Sequence, residues 1–262
     1  MSLSRAKSYH DHFAEVISRE TGIKLPSGKK VMIESRLRRR VQTLGFSSIE
    51  DYYRHLFEDG GFGAERDDVI DLITTNKTDF FREPAHFRCL MNEMLPQILR
   101  RKQRLNKPVD VKFWSAACSD GSEAYTAAML MEEAVRNGAE FQYAILGTDI
   151  STRMVDAAKR AIYAADALDP VPSALRARYT MPGRSEDMRG MARIVPALRS
   201  KANFTYLNLM DESYPVDQDV DIIFLRNVLI YFEPEDQANV IARLARHLAP
   251  KGYLVPGDGQ GA

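Results

Sequence analysis

Three short stretches carry polar groups at the places where a parallel α/β sheet presents its ligands. Val109-Asp-Val-Lys-Phe-Trp-Ser-Ala-Ala-Cys-Ser-Asp-Gly-Ser-Glu-Ala-Tyr125 reads as a buried strand, a tight turn at Gly121 and the start of a helix. Tyr143-Ala-Ile-Leu-Gly-Thr-Asp149 reads as a second strand with a carboxylate at its tip. A glycine turn lets the backbone approach a ligand, and a carboxylate at the next strand's end accepts both hydroxyls of a ribose. The pair is a mould for a nucleoside. Without a G-x-G-x-x-G pattern, a pyrophosphate is not favoured. Asp149 also has a structural alternative, as the cap of a helix opening near Ser151. The third stretch, Ile222-Ile-Phe-Leu-Arg-Asn-Val-Leu-Ile-Tyr-Phe232, begins as a buried strand and turns polar at Arg226-Asn227. An Arg-Asn pair there sits over the ligand crevice. Pairing of Arg226 with a surface acid, and Tyr231 in the core, are the alternatives.

Helices and strands must hold these stretches. Residues 1 to about 70 read as helical. Phe13, Val16 and Ile17 share a face that ends near Gly22, and Ile33, Leu37, Val41 and Leu44 recur at helical spacing up to Gly45. Ser47 or Ser48 caps a helix carrying Tyr52, Tyr53, Leu56 and Phe57, and Gly60-Gly61-Phe-Gly63 breaks the chain. Asp67 to about Phe81 leads out of this part. From 84 onward helices and strands alternate: helix 84–103, strand 109–115 after Lys107-Pro108, a helix after Gly121, strand 143–148 and helix 151–161. An irregular region, 164–202, precedes strands 203–207 and 220–225, helix 234–248 and strand 252–255. Strands separated by helices imply a parallel sheet covered on both faces, with ligands at the strands' carboxyl ends.

Bulk properties narrow the classes. A chain of 262 residues with 45% hydrophobic content buries a full core, enough for one large and one small domain. Zero net charge supplies no general field toward nucleic acid or membrane. No apolar run reaches the length of a membrane span, and the polar N-terminus lacks a leader-type core. The two cysteines, Cys89 and Cys118, have no metal-like spacing and read as reduced thiols of a cytoplasmic protein. No metal site is expected.

Longer strings are more specific. Leu72-Ile-Thr-Thr-Asn-Lys-Thr-Asp-Phe-Phe-Arg-Glu-Pro84, Trp114-Ser-Ala-Ala-Cys-Ser119, Gly147-Thr-Asp-Ile150, Asn208-Leu209 and Phe224-Leu-Arg-Asn-Val-Leu-Ile-Tyr-Phe232 together resemble the CheR family of chemoreceptor glutamate methyltransferases, which use S-adenosylmethionine. Met32-Ile-Glu-Ser-Arg-Leu-Arg-Arg-Arg-Val41 and Leu44-Gly-Phe46 extend the resemblance over nearly the whole chain. It implies a Rossmann-like class I S-adenosylmethionine-dependent methyltransferase domain at 84–262, with a small β insertion at about 164–202. A small all-helical N-terminal domain at 1–70 and a linker at 71–83 complete it.

The resemblance also implies roles. Asp149 holds the ribose, and Asn208 and Leu209 contact the adenine end. Ala117 belongs to the cofactor cradle. Asn76, Thr78 and Arg82 close over the methionine end, where the Arg82 guanidinium matches a carboxylate. Glu123 faces the cofactor ammonium, Arg226 and Asn227 lie beside the sulfonium, and Tyr231 stands near the reacting methyl. Arg82 and Tyr231 are the catalytic candidates, and Phe80 and Phe81 are packing residues between the domains. Two positions depart from the family's Gly-Glu-Glu-Pro-Tyr turn, Ser122 and Ala124, leaving Glu123 as the turn's family acid. The last residues, Gly252 to Ala262, also diverge from the family pattern, so a shortened or exposed sheet edge is expected.

The implied reaction converts glutamate carboxylates of chemoreceptors to methyl esters for sensory adaptation, releasing S-adenosylhomocysteine. A carboxylate acceptor, ionised at neutral pH with a pKa of about 4.3, needs no general base. The segment Lys24–Arg40 holds seven basic residues and the single acid Glu34. Lys29, Arg36 and Arg40 share a helical face, and with Arg39 they form the expected docking surface for a receptor's helical bundle. The insertion corresponds in position to one that tethers a receptor's C-terminal peptide in some family members. The expected protein is a cytoplasmic monomer recruited to receptor arrays, without nucleic-acid binding. Alternatives are methylation of another carboxylate substrate and a non-catalytic cofactor-binding scaffold or sensor.

Overall fold

The computed structural model describes residues 8–104 and 109–257. The Lys107-Pro108 lead-in and the divergent end after Gly257 lie outside the described residues. Four helices, α1 (Tyr9–Thr21), α2 (Lys30–Thr43), α3 (Ile49–Phe57) and α4 (Phe62–Ile73), form the N-terminal unit. Their ends follow local chemistry. The Ser8 and Ser48 side chains accept the amides of Asp11 and Asp51, capping α1 and α3. Phe13, Ile17, Ile33, Leu37, Tyr52, Tyr53, Leu56 and Val69 close its core. Leu44 departs from expectation: α2 stops at Thr43, which leaves this side chain 39% exposed. Asp67 lies inside α4, whose apolar Val69, Ile70 and Ile73 face inward, so the helical unit extends past 70.

Gly22 ends α1 with φ 72°, and its amide bonds the Ser18 carbonyl. A Cβ at this position would stand 2.7 Å from Met210 Sδ and 3.2 Å from Phe232. The helix end therefore lies directly on the second domain. Gly22→Ala is expected to destabilise by about 1–2 kcal/mol, the left-handed cost for a residue with a Cβ. Chemical denaturation measures it, and an unchanged midpoint would remove the constraint.

The second domain carries a parallel sheet of β1 (Asp110–Ala116), β2 (Gln142–Asp149), β6 (Ala202–Tyr206), β7 (Val220–Leu225) and β8 (Leu248–Pro256), ordered β6-β2-β1-β7-β8. The order reverses between β1 and β7, and their carboxyl ends open the crevice. Helices α5 (Pro84–Cys89) and α6 (Leu95–Gln103), joined by a π turn, α7 (Ser122–Arg136), α8 (Thr152–Arg160) and α11 (Pro234–Ala245) cover the faces. The fully buried acid of β7, Asp221, takes Arg101 at 3.1 Å, Lys102 at 2.5 Å and the Lys112 amide at 2.9 Å. Beyond β8, no described strand pairs with the sheet's edge.

The region that reads as irregular from sequence is instead an ordered lobe. β3 (Ile162–Ala164), β5 (Met191–Ile194) and β4 (Thr180–Pro182) form an antiparallel sheet in that order, with α9 (Ser173–Tyr179) packed beside them and α10 (Pro196–Arg199) following. Strands of three or four residues are too short for alternation to show. This lobe lies where the resemblance implies a small β insertion in the α/β domain.

Candidate active site

The loop after β1 places alternate residues in the left-handed region: Ala117 at φ 61°, Ser119 at 50° and Gly121 at 86°. This turn aims the Ser119 amide at Asp149 Oδ2, 2.8 Å away, while the Ser151 amide donates to Oδ1 at 2.9 Å. The helix cap itself is Ser151, whose hydroxyl oxygen accepts the Met154 amide. Asp149 is therefore not needed as the cap. Each of its oxygens retains an acceptor position. Burial raises its pKa to about 6, against the lowering effect of the Ser151 and Ser119 amides.

That value sets a pH dependence. The raised pKa leaves Asp149 ionised above about pH 6 and protonated below it. Ribose recognition needs the ionised acceptor, so cofactor affinity is expected to fall about tenfold per pH unit below that point. Calorimetric titration between pH 5 and 8 measures this, and a flat profile would contradict ribose recognition by the Asp149 carboxylate.

Ser122 donates to Asp120 Oδ1 through its hydroxyl at 2.6 Å and its amide at 3.0 Å. Glu123 is thus not the turn's sole acid: Asp120 serves the opening of α7, and burial raises its pKa. Glu123 accepts from Ser115 Oγ at 2.7 Å and from Arg226 Nη1 at 3.1 Å. Burial raises the Glu123 pKa, and Arg226 opposes the shift.

Arg226 is 5% exposed and does not pair with a surface acid. Nη2 donates to the Arg82 carbonyl at 2.6 Å and to Glu83 Oε2 at 3.1 Å. The guanidinium lies over the rings of Phe87 and Phe224, at 5.2 and 5.6 Å. Asn227, at φ 57°, donates to Glu83 Oε1 at 2.8 Å. Five of the eight described non-glycine residues with positive φ (Phe81, Glu83, Ala117, Ser119 and Asn227) lie in or next to this cleft. Such conformations persist where surrounding structure imposes them, as at binding sites.

The linker closes one side. The Asn76 carbonyl accepts Ser119 Oγ at 3.0 Å, and Asn76 Nδ2 bonds Thr74. Thr78 lines the cleft, and Arg82 rests on the Lys77 carbonyl at 2.9 Å with a partly exposed side chain. Phe80 and Phe81 correct the sequence reading. Phe80 packs edge-on to Tyr163 inside the α/β core and Phe81 joins the same cluster, so these rings anchor the linker to one domain.

Asn208 and Leu209 line the far wall. Asn208 Nδ2 donates to the Glu20 carbonyl at 2.7 Å, which ties the end of α1 to this domain. Tyr231, in the helical turn Leu229–Tyr231, is half-buried on the cleft wall, and its hydroxyl has no hydrogen-bond partner among the described residues. The helical domain supplies wall residues absent from the sequence reading: Thr21, Ile23, Lys24 and Met32. Their only local signal is the helix-ending Gly22. The cleft is concave, open to solvent and lined from both domains, as small-ligand sites are.

The basic face of α2 needs correction. Arg36 donates to the carbonyls of Ile73 and Thr74 at 2.7 and 3.1 Å, holding the end of α4. Arg40 makes a two-pronged pair with Glu65, both contacts at 2.8 Å, and also meets Asp68. These guanidinium groups are committed within the domain because their row flanks the buried Ile33–Leu37–Val41 stripe against α4. Lys29 and Arg39 remain exposed, with Arg38.

A nucleoside joined to a zwitterionic amino acid fits this donor set. Asp149 suits the ribose, and apolar Ile150, Leu207 and Leu209 are available to the base. Glu123 and Arg82 offer opposite charges to the ammonium and carboxylate. Two family descriptions match the chain: CheR methyltransferase, all-alpha domain, over residues 11–74, and CheR methyltransferase, SAM binding domain, over 76–260. A chemotaxis protein methyltransferase of Borreliella burgdorferi is 32% identical over 99% of this chain and 90% of its own length. Chemotaxis protein methyltransferase 2 of Pseudomonas aeruginosa is 32% identical over 94% and 84%, respectively. The Escherichia coli chemotaxis protein methyltransferase is 30% identical over 98% and 86%. Matched in both domains and along nearly its whole length, the chain belongs to the CheR methyltransferase family, whose cofactor is S-adenosylmethionine.

Proposed function

We propose that this protein methylates glutamate side-chain carboxylates of chemoreceptors, forming glutamyl methyl esters in sensory adaptation. One observation carries the reading: Lys24, Lys29, Lys77 and Arg82, beside the acids Asp79, Glu123 and Asp149, line a cleft without a histidine among its lining residues. Such a site suits an acceptor that is already an anion and needs no proton removed. The bound cofactor supplies an activated methyl group on a sulfonium. The protein's part is alignment of acceptor oxygen, methyl carbon and sulfur, the source of large rate gains without acid–base chemistry.

Tyr231 is positioned to orient the incoming carboxylate through its unbonded hydroxyl. A neutral donor steers the acceptor without neutralising it, whereas a close guanidinium pair would blunt the nucleophile. Lys29 and Arg39, with Arg38 and the 79% exposed Val31, offer an outward surface for an acidic receptor helix. At the insertion, edge strand β4 presents backbone to an extended receptor peptide. No described helix is long and apolar enough to cross a membrane.

Incubation with tritium-labelled S-adenosylmethionine and receptor membranes is expected to label a receptor. Mild base should release the label as volatile methanol. Base-stable label would indicate nitrogen or sulfur methylation, and no label despite measured cofactor binding would favour a scaffold.

A further inference from the structure

Glu83 lies immediately before Pro84 with φ 53° and ψ 66°. That left-handed conformation costs a residue with a side chain about 1–2 kcal/mol. Both carboxylate oxygens reach across the floor of the cleft. Oε1 accepts from Asn227 Nδ2 at 2.8 Å and Oε2 from Arg226 Nη2 at 3.1 Å. The His86 ring nitrogen lies 3.2 Å from the same Oε2. One carboxylate thus fastens two strained turns together, one ending the linker and the other following β7.

Both charged groups offered to the cofactor's amino-acid end hang from this junction. Arg82 is the preceding residue, and its carbonyl accepts the Arg226 Nη2 that also meets Glu83. Glu123 is the second carboxylate on Arg226, at 3.1 Å. Among the described residues, loss of the Glu83 charge would leave Arg226 with Glu123 alone to neutralise it. A tighter pair there would occupy the carboxylate meant for the cofactor ammonium.

We propose that Glu83 is a positioning residue for methyl transfer: it divides Arg226 between two carboxylates, keeping Glu123 available to the cofactor and Arg82 in place. The proposal extends the functional reading above and rests on it for the identity of the acceptor.

Glu83→Gln is nearly isosteric. Its amide oxygen still serves Asn227, while its amide nitrogen meets Arg226 donor to donor. With receptor membranes, kcat is expected to fall about tenfold to a hundredfold, the scale of misaligned reacting groups. Receptor KM should stay within about threefold, separating the effect from receptor binding. Calorimetric affinity for S-adenosylmethionine, measured without receptor, should weaken. Glu83→Asp returns a carboxylate to the junction and leaves Asn227 unchanged. Aspartate is among the residues enriched in left-handed backbone. This conservative variant is expected to recover part of the kcat lost in Glu83→Gln.

A structural role alone would lower Tm without the kcat–KM split or the rescue. The proposal is overturned by a Glu83→Gln kcat within about twofold of wild type at matched Tm. It is equally overturned by a Glu83→Asp kcat no better than that of Glu83→Gln. Wild-type protein run alongside separates the two readings. Failure of the wild type to form a base-labile ester would refute the glutamate acceptor, and the receptor-free cofactor titration would still decide on Glu83.

Discussion

Arg226→Leu is expected to lower folding stability by about 3–5 kcal/mol, the cost of removing one partner from a buried ion pair. The cause is specific. Arg226 is the cation between Glu83 and Glu123, each 3.1 Å away, and it also ties the Arg82 carbonyl to the core. Leucine preserves the contact with Phe87 and Phe224 but leaves two carboxylates facing a poorly solvated floor. For a protein of this size the loss corresponds to a Tm decrease of roughly 6–20 °C. Differential scanning calorimetry measures it, and a shift under about 2 °C would show that the network contributes little. Adding Glu123→Leu should return part of the stability, because an apolar replacement removes one stranded charge. The double variant should still bind cofactor poorly, having lost a group for the ammonium.

Asp149→Ala should weaken S-adenosylmethionine binding by about a hundredfold or more, taking two charge-assisted hydrogen bonds to the ribose at about 1.5–3 kcal/mol each. The side chain's second task adds to the effect. Its oxygens hold the Ser119 and Ser151 amides at 2.8 and 2.9 Å, and with them the turn that shapes the cradle. Asp149→Asn separates these contributions. An amide keeps one acceptor oxygen and most of the shape but cannot accept at both positions. Its affinity should lie between alanine and wild type, and the loss of affinity near pH 6 should disappear. Unchanged calorimetric affinity in Asp149→Ala would exclude this residue from the cofactor site.

Much of the α/β domain is legible in the chain because its signals are local. The apolar run of β7 and the turn at Gly121 identify their elements without reference to distant residues. A carboxylate at the end of β2 is likewise visible as a ligand group, since strand tips and crevice coincide in parallel sheets. The three-stranded lobe at 162–194 is not legible in this way. Its strands are short, and each is defined by a partner that the sequence does not indicate. The arginine row of α2 is ambiguous for a related reason. Spacing puts Arg36 and Arg40 on one face, but only packing shows that the face meets α4 instead of solvent.

By itself, the sequence determined the order of the main-sheet strands and their helices, and it placed Asp149, Glu123, Arg226 and Asn227 at the strand ends and helix opening that line one crevice. Periodicity, turn chemistry and motif strings are properties of neighbours along the chain. The tertiary structure decided how those charges are shared. It set Arg226 between Glu83 and Glu123, assigned the α8 cap to Ser151 in place of Asp149, and brought Thr21, Lys24 and Met32 to the cleft wall. The physical reason is that burial and pairing depend on distance in space. Residues 83, 123 and 226 meet only when the linker, α7 and the end of β7 are packed together.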